Sequence, residues 1–242
     1  MIDDYYNEQE QWERVKQWLR ENGPWLVVGV LLGLGALAGW RWWEKRQEER
    51  AQSASASYGL LLETLQSGDR AKGLVLADEI RKDHRGSAYA DQADLVAARA
   101  LVEAGELGPA NERLTRVMKD AKDEQLRLVA RSRLARVQLA QGNADAAIAT
   151  LDGAKPGAFA ALFGSIRGDA LYAKGDRPAA LAAWRQAETE ATAAAAKGAP
   201  TVDLVALQLK IGDLLADGVK EPAAAASPAA APAAAPAKPG TP

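Results

Sequence analysis

The residues of this chain whose types and spacing suit them to chemistry are few. Gly33, Gly35 and Ala38 spell G-x-G-x-x-A directly after the apolar run 25–32. At that spacing the first turn of a dinucleotide-binding unit lays backbone N–H groups against a pyrophosphate. The same chemistry needs a second strand after the turn, ending in an acidic ligand for the ribose. Residues 41–65 are instead charged, then small and polar, then helical in pattern, so the phosphate reading lacks its partners. The single histidine, His84, stands in "RKDHRGS" after an expected helix, with no second imidazole and no H-E-x-x-H, and reads as a solvated loop residue. Aspartates and glutamates are spread along the chain, and no pair stands out by spacing. The chain has no cysteine, which removes disulfides, thiolate metal sites and thiol nucleophiles together. The sequence therefore points to no catalytic residue, no metal ligand and no cofactor.

Composition narrows the class. The hydrophobic fraction of 48% is carried largely by alanine, the strongest helix former, so the fold is expected to be all-α. A net charge of -2 offers no global positive field, which disfavours nucleic acid as a partner.

The same glycines fit a different element better. Residues 23–40 carry no charge, and as helix they would extend about 27 Å, close to the hydrocarbon thickness of a bilayer. Trp25 at one end and Trp40, Trp42 and Trp43 at the other stand where amphipathic rings meet lipid headgroups. Gly29/Gly33 and Gly35/Gly39 form two G-x-x-x-G pairs, a spacing that lets helices approach closely in membranes. A cleaved signal fits poorly, since the preceding 22 residues are acidic and ten mostly charged residues separate the apolar run from the small residues at 54–56. The expectation is a leader over 1–22, a transmembrane helix over 23–43 and a linker over 44–57. In the leader, Trp12, Val15 and Leu19 fall at i, i+3 and i+7, as in an amphipathic helix. Nearby basic residues are nearly balanced across the span (Arg14, Lys16 and Arg20 against Arg41, Lys45, Arg46 and Arg50), so charge alone leaves its orientation open.

Residues 58–217 repeat. Glycine recurs at Gly68, Gly105, Gly142 and Gly175, and five residues after each comes a small one: Gly73, Ala110, Ala147 or Ala180. Seven before each stands Leu61, Ala98, Ala135 or Gly168, and nine after stands Ala77, Leu114, Leu151 or Trp184. A glycine that ends one helix and a small residue where the next crosses it describe a helical hairpin. Such hairpins bury their apolar faces only by stacking. The columns match the tetratricopeptide pattern, in which small residues occupy the helix crossings. An apolar helix in "VDLVALQLKIGDLLADG" suits a cap on the stack, and the alanine- and proline-rich stretch 218–242 is expected to be extended and disordered.

The stretches "SRLARVQLAQGNADAAIATLD" (132–152), "IRGDALYAKGDRPAALAAW" (166–184) and "LQLKIGDLL" (207–215), together with the leader and span, resemble the YfgM family, ancillary subunits of the bacterial Sec translocon. The resemblance covers about residues 1–217. It implies a single-pass protein of a Gram-negative inner membrane, amino terminus in the cytoplasm and repeat domain in the periplasm. It further implies SecYEG, a PpiD-like periplasmic chaperone and exported polypeptides as partners. The resulting expectation is a non-enzymatic adaptor with a bilayer anchor and a TPR-like α-solenoid. One alternative is a periplasmic repeat scaffold for envelope or cell-division complexes without translocon contact. Another is an enzyme working through carboxylates in a groove, which would require convergent, perturbed acids in a deep pocket.

Overall fold

The computed structural model describes residues 3–195 and 202–220. Among them there are nine α-helices and no strand. The chain divides into two compact units, residues 1–60 and 61–242.

The first unit is formed by helix α1 (Asp3–Gln66), whose last six residues belong to the second unit. Pro24 lies inside α1, where it removes one ladder hydrogen bond and clashes with the preceding turn. The segments Trp12–Trp25 and Val27–Gln66 accordingly meet at 44°. No single straight helix among the described residues is long and apolar enough to cross a membrane, whereas the bent pair meets that requirement by length and composition. Residues 44–57, read from sequence as a linker, continue the helix. Glu, Lys, Arg and Gln lead this segment, and it contains no glycine or proline to end the helix.

The second unit alternates first and second helices of hairpins. The end of α1 is followed by α2 (Arg70–Asp83), α3 (Ala88–Glu103) by α4 (Leu107–Asp120), α5 (Glu124–Ala140) by α6 (Ala144–Asp152), and α7 (Ala160–Ala173) by α8 (Arg177–Ala195). Helix α9 (Leu204–Ala216) closes the series. Short polar side chains start many of these helices by accepting from orphan backbone N–H groups: Asp69 from Lys72 (3.0 Å), Ser87 from Ala90 (3.2 Å), Asp123 from Gln125 (2.7 Å) and Asp203 from Ala206 (3.0 Å).

The core is a series of overlapping clusters. One joins α3, α4 and α5 through Leu95, Leu114, Val117 and Leu134. The next joins α5, α6 and α7 through Leu128, Leu151, Phe163 and Ile166. A third joins α8 and α9 through Leu181, Trp184, Leu207 and Ile211. Each hairpin thus packs on its neighbours in sequence, the arrangement of a solenoid. The stretch 221–242, most of the tail expected to be extended, lies outside the described residues.

Candidate functional site: a groove along the first helices

The groove is built on a turn used repeatedly. Gly68, Gly105, Gly142 and Gly175 take φ of 88°, 78°, 81° and 84°, a conformation that costs other residues strain. At each, the glycine N–H donates to the carbonyl three residues back and the following N–H to the carbonyl five back. For Gly105 these are Val102 (2.9 Å) and, from Glu106, Leu101 (2.9 Å). This is a Schellman closure, and it hands the chain to the second helix in the same geometry each time. A fifth such turn, outside the repeat columns, ends α9: Gly218, φ 82°, with its N–H on Leu215 and that of Val219 on Leu214. The signal was a further apolar helix ending in glycine, but its spacing from Gly175 departs from the earlier ones and no second helix is described after it.

All twelve residues of the three columns are buried. Where a column gives up even its Cβ, the partner explains it. A Cβ at Gly73 would overlap the tip of Leu65, and a Cβ at Gly168 would overlap the indole of Trp184. Trp184 donates through Nε1 to the Ser165 carbonyl (3.2 Å) and to Asp169 (3.1 Å). Lys210 from α9 donates to the same carboxylate (2.6 Å).

A buried polar hub fixes the middle helices. Asp94 on α3, fully buried, accepts from Arg81 of α2 (2.5 Å) and from Arg113 (2.9 Å) and Arg116 (3.5 Å) of α4. Arg113 also reaches Asp78 (2.9 Å). One helical turn away, burial raises the pKa of Asp91 above the usual carboxylate range, the nearby Arg81 opposing the rise and Asp94 adding to it. These acids sit in the packing of three helices, and neither lines the clefts described below. No group of three or more metal-ligating side chains occurs among the described residues.

Along the first helices run two adjoining clefts. The first, about 470 Å³, lies between the end of α1 and α3 and includes Leu62, Leu65, Arg70, Val96 and Arg99. The second, about 460 Å³, lies between α3 and α5 over Ala98, Val102, Leu107, Leu114, Val137 and Ala140, and is edged by Arg99, Arg133 and Arg136. Both share Arg99 and Glu103, which pair at 2.8 Å. Arg99 and Arg136 hold the same place in successive repeats, six residues before the turn glycine, a correspondence present in the sequence but not read there.

Gly33, Gly35 and Ala38 lie in the interior of α1, so no strand precedes them to shape a phosphate turn. Trp25, Trp40, Trp42 and Trp43 are 77%, 65%, 62% and 53% exposed within the chain, and a Cβ at Gly29, Gly33, Gly35 or Gly39 would meet nothing within 4 Å. Trp40 and Trp43 touch at 5.8 Å between ring centres, and Arg46 lies over the Trp42 ring at 4.8 Å. His84 is the C-cap of α2, half-buried, its backbone N–H donating to the Ile80 carbonyl at 2.9 Å.

Repeated helical hairpins closed by one glycine turn, crossing at small residues, define a tetratricopeptide-like repeat protein. A model of the tetratricopeptide repeat-like domain family matches residues 16–216. Among curated proteins, the ancillary SecYEG translocon subunit of Escherichia coli K12 is 39% identical over 180 residues, covering 74% of this chain and 86% of the relative. That of Haemophilus influenzae is 32% identical over 181 residues, covering 75% and 88%. Among solved structures, MamA from Desulfovibrio magneticus RS-1 is similar at a TM-score of 0.48 and 15% identity, covering 67% of this chain and 93% of that one. The chain belongs to the family of ancillary SecYEG translocon subunits.

Proposed function

We propose that this protein is a non-enzymatic adaptor of the Sec translocon. A bilayer anchor over 23–43 holds it beside SecYEG in the inner membrane, amino terminus in the cytoplasm. The repeat domain over 58–217 stands in the periplasm and binds a PpiD-like chaperone and exported polypeptides. The observation that carries this reading is the 39% identity, over 86% of its length, to a relative named for its place in the translocon. The uncharged stretch 23–40 between tryptophans supports the anchor, and the open clefts along the first helices suit polypeptide recognition.

The experiment is affinity purification of the full chain in mild detergent, followed by mass spectrometry. SecYEG subunits and a periplasmic chaperone are expected among the recovered proteins. Recovery of envelope or cell-division proteins without SecYEG would overturn the reading in favour of a scaffold. Protease added after permeabilising the outer membrane should remove the repeat domain and leave the leader intact; the opposite pattern would reverse the orientation.

A further inference from the structure

We infer that the α3–α5 cleft takes acidic polypeptide segments anchored by aliphatic side chains. This deepens the adaptor reading and rests on it. The cleft floor is apolar, with Val102 40% exposed beside Leu107 and Val137, and its volume of about 460 Å³ accommodates several aliphatic side chains.

Its edge is cationic in an otherwise acidic protein. The charged residues lining this cleft are three arginines, Arg99, Arg133 and Arg136, and one acid, Glu103, which pairs with Arg99 at 2.8 Å. Arginine forks match carboxylates bidentately, and Arg99 and Arg136, one per repeat at the same register, present two such forks across one apolar floor. The equivalent position in the α7 repeat is Asp169, already engaged by Lys210 and Trp184. In the first repeat it is Leu62. The positive edge is therefore local to the middle repeats.

Nucleic acid fits poorly, because Glu103 lies between the two clefts and Arg70 in the neighbouring one is paired to Glu106 at 3.0 Å, so no continuous basic stripe tracks a phosphate backbone. The alanine- and proline-rich stretch 221–242 has one acidic residue, Glu221, and lacks both the charge and the aliphatic anchors.

The test is fluorescence anisotropy on the full chain in zwitterionic detergent, with a labelled peptide of leucine and glutamate and its leucine and lysine counterpart. The acidic peptide should bind and the basic one should not. Arg99→Glu combined with Arg136→Glu should weaken binding at least about tenfold, as should Val102→Asp, while Lys119→Glu on α4 leaves it unchanged. Circular dichroism on each variant separates lost binding from lost fold, since the two arginines are exposed. Equal binding of both peptides, or binding untouched by the double charge reversal, would overturn the inference. So would displacement of the peptide by short-chain phosphatidylglycerol at equal concentration, which would assign the edge to lipid headgroups. Variants that lose the peptide yet still co-purify SecYEG support this inference; a chain that binds the peptide and recovers no SecYEG would sink the adaptor reading and leave the cleft chemistry standing.

Discussion

Gly168 and Trp184 occupy one space: a Cβ on the first would overlap the indole of the second, which is only 3% exposed and held at Nε1 by Ser165 and Asp169. The α7–α8 hairpin carries to its extreme the pairing of Ala98 with Leu114 and of Ala135 with Leu151: the large side chain comes from the second helix, and the first gives up even its Cβ. Gly168→Ala should then destabilise the repeat domain by about 2 to 3 kcal/mol through overpacking, because an indole tied by two hydrogen bonds has little room to move. Gly73→Ala should cost less, since its neighbour is the flexible tip of Leu65. Urea unfolding followed by far-ultraviolet circular dichroism would rank the two, and Gly168→Ala with Trp184→Leu should recover part of the loss.

The turn glycines fail for a different reason. A Cβ at Gly105 or Gly142 meets nothing within 4 Å, so the cost of alanine there is conformational alone. With φ near 80° at both, each Gly→Ala should lose about 1 to 2 kcal/mol, and asparagine, which tolerates the left-handed region better, should lose less. Equal melting temperatures for the alanine and asparagine variants would contradict this account.

The repeat columns were legible because turn and crossing impose residue types that recur at fixed offsets: glycine where φ is positive, a small residue five later, burial at both flanks. What failed to show was whatever lacks a period. Asp94 finds its arginines 13, 19 and 22 residues away on two other helices, and charged residues are too frequent in this chain for those offsets to stand out. Residues 44–57 looked like a linker because small polar residues are ambiguous, and nothing in "SASASY" forbids the helix that continues through it. The bend of α1 follows from Pro24, whose lack of charge blends it into the run 23–40 without marking a break.

Asp94 should be the costliest polar position in the domain. Replacing it with alanine or asparagine leaves Arg81, Arg113 and Arg116 facing one another without their shared carboxylate, and Arg113 is itself only 11% exposed. Breaking a buried ion pair from one side typically costs about 3 to 5 kcal/mol. Arg113→Ala should approach that loss, whereas Arg116→Ala, at 3.5 Å and 33% exposed, should cost much less. Chemical denaturation of the three variants gives the order, and an Asp94→Asn as mild as Arg116→Ala would show that the hub contributes little.

Asp91 leaves a signature in pH. It stands in the first turn of α3, where the helix dipole favours its charge, yet the net effect of burial, opposed by Arg81 and Lys122 and joined by Asp94 and Asp120, is a raised pKa. Between the ordinary aspartate value, about 4, and that raised value, the folded chain holds a proton that the unfolded chain has released. Stability from this group is therefore greatest in acid and falls as pH rises through the interval, because the native carboxylate then becomes charged while buried. Asp91→Asn removes the titration while keeping the shape. The variant should be more stable than the parent at neutral pH, and the gap should close as pH is lowered toward 4. Urea midpoints measured for both proteins across that range would test the sign directly, and a gap that widened on acidification would mean that the helix terminus, not burial, governs Asp91.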